Sequence, residues 1–213
     1  MEMMNCSIMT LLLFFAISAS ATASPQTPGD NLFIFSSTYQ MQLLLRAELE
    51  FVAYLRRNLE KIKSWSESES FQYFIEDNYS AEKFVKPQNF ESYVSNPFNS
   101  FGIMSRTSQA KHYFANFQEF QNLTSMFPPR KDFINACSAM ILIQESLDLK
   151  TEDMVQGKII SKNGEIFWSD YKLGFVEFGM FGSVACINNF YDLCVQWLTH
   201  ALKVRNQQTL YAS

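Results

Sequence analysis

His112, in KHYF, and His200, in THAL, are the two histidines of this 213-residue chain. Iron sites for oxygen chemistry take two histidines and a carboxylate, often opening with His-x-Asp, and zinc sites take clustered Cys and His. Neither histidine is followed two positions later by an acid. Both fall in segments of helical patterning, so packing or surface roles are expected and no metal site. The carboxylate pairs Glu67 with Glu69 and Glu152 with Asp153 read as solvated loop or helix-start charges. Gly-x-Ser-x-Gly, a Gly-rich phosphate loop, Cys-x-x-Cys and His-Glu-x-x-His are all missing. No catalytic residue is nominated, and the polypeptide alone is expected to be inert.

The elements that hold these residues follow from composition. At 47% hydrophobic, 15% aromatic and 18% charged, the chain has the material for a core and too little charge for a disordered polymer. Seven glycines and six prolines are too few for a many-turned β-sandwich and favour long helices. A formal charge of −4 leaves no basic footprint for nucleic acid. IMTLLLFFAI, residues 8–17, is too short to span a bilayer, and small residues follow it with Ala21-Thr22-Ala23 as the cleavage triplet. Residues 1–23 are therefore expected to be a secretory signal peptide, although Glu2 and not a basic residue precedes the apolar run. No membrane span is expected.

Secretion makes Asn78 (NYS) and Asn122 (NLT) acceptors for N-glycosylation, hence surface positions. It also removes Cys6 and leaves Cys137, Cys186 and Cys194, an odd number that permits one internal disulfide at most. Cys186 and Cys194 are eight apart, and on one straight helix that separation keeps them from meeting. All three are expected as small buried hydrophobes.

From Asn31 to about Trp65 the pattern is helical. Leu45, Val52 and Leu59 recur every seven residues, with Met41, Leu55 and Ile62 in the partner row and Glu48 interrupting it. Such a coiled-coil-like seam must face another helix, in a hairpin of the same chain or in a dimer. SWSESESF, residues 64–71, reads as a loop, and 86–106, with two prolines, as a turn-rich connection before helix resumes at 108–124. Pro128-Pro129 marks the best domain boundary. Beyond it Asp132 can cap a helix to about Leu147, with Leu142, Ile143, Leu147 and Leu149 as its apolar face. Thr151 is expected to cap a second helix ending at Gly157. From 170 to 204 two amphipathic helices place Phe178, Phe181, Gly182, Ala185, Cys194, Leu198 and Ala201 at the spacing by which a tetratricopeptide repeat crosses its helices.

QMQLLLRAELEFVAYLRRNLEKIKSW from Gln40, NPFNSFGIMSR from Asn96, NLTSMFP from Asn122, LDLKTEDMVQG from Leu147 and FGSVAC followed by FYDLCVQWLTHAL occur in one order. Over about 31–204 that order resembles the N-terminal half of the collagen prolyl 4-hydroxylase alpha subunit. The resemblance implies an all-α fold: a coiled-coil-like dimerisation domain over 31–130, then a partial, degenerate tetratricopeptide-like peptide-binding domain over 131–213. It further implies residence in the endoplasmic-reticulum lumen, or secretion when no partner retains the chain. The implied partners are a second copy, alpha-subunit paralogues, protein disulfide isomerase and proline-rich, collagen-like peptides. In the family a row of tyrosines holds the peptide; here Tyr191 falls on such a position, while Cys186 and Asp192 stand where tyrosines are expected. The family's iron, 2-oxoglutarate and ascorbate serve a catalytic domain that this sequence does not match, so no cofactor is expected in this chain. The alternative is a truncated or accessory subunit of an active procollagen-proline 4-dioxygenase complex.

Overall fold

The computed structural model describes residues 37–63, 68–80, 84, 86–160 and 164–211. The expected signal peptide, the first residues of the helix read from Asn31, and Glu67 lie outside the described residues. The all-α expectation holds: the described elements are helices and one short antiparallel strand pair. Contacts divide them into two compact units, Ile34–Phe133 and Ile134–Ser213. None of the described helices is long and apolar enough to cross a membrane.

The first unit opens with α1, Thr38–Arg57, where the Ser37 side chain caps by accepting the Gln40 N–H at 3.2 Å. Arg56 and Arg57 close the helix on the favourable end of its dipole. Asn58 breaks the run, so the long helix read from sequence is α1 plus the short α2, Leu59–Lys63. The apolar stripe of α1 faces inward, against α4 (Phe90–Ser95) and α5 (Pro97–Tyr113). Met41, Leu45, Val52, Leu55 and Ile62 are buried and Leu59 is half-buried. The seam is thus covered by helices of its own unit, the intramolecular one of the two arrangements the heptads allow.

Two stretches differ from their expected states. Helix α3, Glu69–Tyr79, begins inside the segment read as a loop. The segment read as a turn-rich connection is helical. The Asn89 side chain caps α4 through the Ser92 N–H at 3.0 Å, and Asn96 caps α5 through Phe98 and Asn99, with Pro97 in the first turn. Proline there begins a helix, because an N–H in the first turn has no helical acceptor to lose. Helix α5 is buried along most of its length and ends at Tyr113 instead of running on to 124. A 3-10 turn, Gln118–Phe120, then brings the chain back, and Lys111 Nζ donates to the Phe127 carbonyl at 2.6 Å. Phe51 sits at the centre of this core, its ring edge-on to Tyr79, Phe114, Phe120 and Phe127 at 5.2–5.6 Å.

The second unit takes up α6, Arg130–Leu147, which begins directly after Pro129. Asp132 lies in its first turn and caps nothing; its N–H donates to the Pro129 carbonyl. From Ile134 on, its buried face is Cys137, Met140, Ile141 and Gln144, and Leu142 and Leu147 are exposed, contrary to the apolar face read for them. Helix α7, Thr151–Val155, follows, then β1 (Lys158–Ile160) paired antiparallel with β2 (Ile166–Trp168). These strands were not anticipated. The closing pair is α8, Phe175–Ile187, and α9, Tyr191–Tyr211. Asn189, at φ +64°, turns the chain between them with the Phe190 N–H on the Ala185 carbonyl. The break corrects the cysteine reading: Cys186 and Cys194 lie on two helices, not one, and are joined in a disulfide with Cα atoms 5.1 Å apart. Cys137 is a buried free thiol, as expected.

Gly182 is required where α8 meets α9. A Cβ there would lie 2.7 Å from Cγ and Cδ2 of buried Leu198 and 3.3 Å from its backbone nitrogen. Gly182→Ala gains helix propensity of about 1 kcal/mol but must push the helices apart, a strain of about 1–3 kcal/mol. Chemical denaturation of the variant is expected to show net destabilisation; a gain in stability would contradict the close crossing.

Candidate peptide-binding surface and buried polar networks

Tyr191 is 64% exposed at the first turn of α9, its hydroxyl donating to Asn189 Oδ1 at 2.9 Å. Ile187 and Val195 are also exposed at this end of the helix pair. Of the neighbouring positions where the resemblance leads one to expect tyrosines, Cys186 is tied up in the disulfide and Asp192 is exposed. The end of the α8–α9 pair therefore exposes the Tyr191 ring along with two aliphatic side chains. A flat ring with a polar tip can stack on an apolar peptide and bond to its backbone.

Behind this surface a chain of hydrogen bonds joins three helices. Trp197, fully buried, donates Nε1–H to Gln144 Oε1 at 2.8 Å. Gln144 Nε2 donates to the Leu149 carbonyl and to Thr151 Oγ1, whose own hydroxyl donates to Gln196 Oε1 at 2.6 Å. Thr151 is thus no helix cap: Lys150 holds that position, and the threonine side chain is buried in the network. Near α8, Glu177 is buried and accepts from the Gly174 N–H and the Tyr171 hydroxyl, both at 2.9 Å. Burial, aided by the charge of Glu177, pushes the Cys137 thiol well above its usual range, which leaves it a poor nucleophile.

The first unit contains a buried ion pair. Glu48, wholly buried on the α1 stripe, accepts from Arg106 Nε at 2.7 Å and from Nη2 at 2.9 Å. Burial pushes the Glu48 carboxyl up, and the Arg106 guanidinium pulls it back. Burial also works against the Arg106 cation, but Glu48 beside it holds its pKa above the ordinary guanidinium value. The sequence marked Glu48 only as an interruption. An acid on an apolar stripe signals a buried partner, but nothing local identifies a residue 58 positions away.

The histidines belong to different units. His112 is exposed in the last turn of α5. His200 is half-buried beside Phe178 and Trp197, with ring centroids 6.0 and 6.5 Å away. Among the described residues no three His, Cys, Asp or Glu side chains converge to hold a metal. Burial, with Lys203 adding to it and Glu152 opposing, holds His200 below the usual imidazole value. The unfolded chain therefore takes up a proton first as pH falls through about 6.5, and stability conferred by neutral His200 is lost on acidification. Thermal unfolding of the second unit should fall between about pH 7 and about pH 5.5, with a shallower slope in His200→Gln. Equal slopes would contradict this assignment.

Asn122 is exposed, with Thr124 of its sequon buried and its hydroxyl on the Phe120 carbonyl. Asn78 is half-buried near the end of α3 and donates its amide to the Phe74 carbonyl at 3.0 Å.

A family model described as the prolyl 4-hydroxylase alpha-subunit, N-terminal region matches residues 37–161. No curated protein and no solved structure matched the chain. The matched segment takes in the described part of the first unit, α6, α7 and β1; β2 and the α8–α9 pair lie beyond it.

Proposed function

Because the chain belongs to the family of the prolyl 4-hydroxylase alpha-subunit N-terminal region, we propose that it is a non-catalytic assembly and peptide-holding protein of the secretory pathway. It associates with a second copy or with an alpha-subunit paralogue, and the exposed end of its α8–α9 pair holds proline-rich, collagen-like peptide. The observation that carries the peptide half is the exposure of Tyr191, with Ile187 and Val195 also exposed, on a helix pair that crosses closely at Gly182 and Leu198. Proline's preset extended conformation lowers the ordering cost of binding, and flat rings suit its faces. The catalytic half of the family's chemistry is not assigned to this chain, whose described residues assemble no iron ligands.

Titration of the mature chain with a proline-rich peptide should give a saturable signal that Tyr191→Ala weakens; no saturation in the parent protein overturns the peptide half. Incubated with iron, 2-oxoglutarate and the same peptide, the purified chain should consume no 2-oxoglutarate.

Lumenal residence, with secretion when no partner retains the chain, is checked through its sugars. Asn122 offers the better-exposed amide, so Asn122→Gln should abolish the larger part of the mobility shift caused by endoglycosidase treatment. A shift unchanged in Asn122→Gln contradicts glycosylation at that site.

A further inference from the structure

We propose that the exposed end of the α8–α9 pair selects proline-rich peptides that carry a basic side chain, Lys or Arg, and that Asp192 is the residue that selects them. The inference rests on the peptide half of the function proposed above and names the chemistry of the guest.

Tyr191, Asp192 and Val195 are all exposed near the start of α9, Tyr191 and Val195 at 64% and 57%. On a helix, residues three and four apart are surface neighbours, with Cβ atoms about 5–6 Å apart. Val195 is therefore the neighbour of both Tyr191 and Asp192. The buried side of the same helix is Cys194, Trp197, Leu198 and Ala201, so the three exposed residues stand outside the helix crossing.

Among the described residues, nothing pairs with the Asp192 carboxylate. Other acids of this unit are committed: Asp153 pairs with Lys158 at 3.2 Å, and Glu177 accepts from Gly174 and Tyr171. The Tyr191 hydroxyl commits its proton to Asn189 Oδ1 at 2.9 Å. Its oxygen therefore meets a guest as an acceptor. Tyr191 and Asp192 thus both offer acceptors, and the guest must bring the donors.

A run of proline has no N–H and no charge. A lysine or arginine side chain supplies both, and its methylene stem can lie along apolar surface while the head stays in water. Laid over Val195, the stem carries its head to Asp192, and the face of the neighbouring Tyr191 ring attracts a cation as well. The positive pole of the α9 dipole, about half a charge, lies at the same end, and the full charge of Asp192 outweighs it. An acidic side chain in the guest would meet Asp192 as a like charge.

The test uses the full mature chain and short, end-blocked Pro-Pro-Gly repeats with Lys, Gln or Glu at one central position, titrated calorimetrically at low salt. The Lys peptide should bind about threefold tighter than the Gln peptide and about tenfold tighter than the Glu peptide, the scale of an exposed ion pair and of its reversal. The differences should vanish in Asp192→Asn and the order should reverse in Asp192→Lys. The second variant still leaves the chain net negative, so a reversal reports the local charge and not the field of the whole protein. In about 1 M salt the parent's preference should flatten, as the screening length falls to about 3 Å. An acid in the first turn also stabilises its helix, but loss of that role alone would weaken all three peptides alike. Equal or inverted affinities in the parent, or an order unchanged in Asp192→Asn and Asp192→Lys, overturn selection by Asp192 and leave the peptide reading intact. No saturable binding of any of the three peptides overturns both.

Discussion

Arg106→Met is expected to lower the stability of the first unit by about 3–5 kcal/mol, read from its urea midpoint. The substitution removes the two guanidinium donors from Glu48, a fully buried carboxylate, and leaves it only the longer contact from the Tyr79 hydroxyl at 3.5 Å. The isolated Arg106–Glu48 pair is not what holds the unit together, since desolvation cancels much of the attraction between two buried charges. The loss comes from stranding one of them. Burial already pushes the Glu48 carboxyl up, and without Arg106 nothing on that scale opposes it. Glu48 then holds its proton more tightly folded than unfolded, so the stability it contributes is present below about pH 4.3 and lost as pH rises through the folded value. The deficit of Arg106→Met relative to the parent should therefore shrink on acidification. The double variant Glu48→Leu with Arg106→Met should recover most of the loss, because two apolar side chains of similar volume leave no orphaned charge. A single variant within about 1 kcal/mol of the parent would mean that the pair is hydrated.

Local patterning made some of this fold legible and hid other parts for identifiable reasons. The heptad rows placed the inward face of α1 correctly, but a stripe specifies that something covers it and not whose helix does. The caps of α4 and α5 were present in the sequence as Asn89 and as Asn96 before Pro97. Reading both prolines as breakers hid them, since proline stops a helix in its interior and starts one in its first turn. Asn163-Gly164 between KII and EIFW is a turn signal flanked by strand formers. Its strands, three residues each, are too short to show the alternation that marks a strand. The cysteines were misplaced by assuming a straight helix across Asn188–Asn189. The crossing of α8 on α9 was readable, because small residues at Gly182, Ala185 and Ala201 recur opposite large ones. The Gln144–Thr151–Gln196–Trp197 network was not, because its members are up to 53 positions apart and each passes locally for a surface or capping residue.

That network makes Trp197→Ala the second large loss expected, about 3–5 kcal/mol from the cavity left by a fully buried indole. Phe178 and Phe181 pack on the ring at 5.8 and 4.9 Å, so the void opens at the crossing of α8 and α9. Trp197→Phe separates packing from polarity. It keeps much of the volume but strips Gln144 Oε1 of its donor, a cost of about 1–3 kcal/mol for a buried acceptor. Adding Gln144→Leu should not recover that loss, because it exchanges one orphan for another: the Leu149 carbonyl and Thr151 Oγ1 lose the donor that Gln144 Nε2 supplies. The same connectivity bears on the boundary of the family match. Gln144 and Thr151 lie inside 37–161, while Gln196 and Trp197 lie beyond it. A fragment ending at residue 161 exposes the buried face of α6 and leaves Gln144 without its indole donor. It should retain cooperative unfolding of the first unit and lose that of the second by differential scanning calorimetry. Two intact transitions in that fragment would show that α6 and α7 fold without the helix pair.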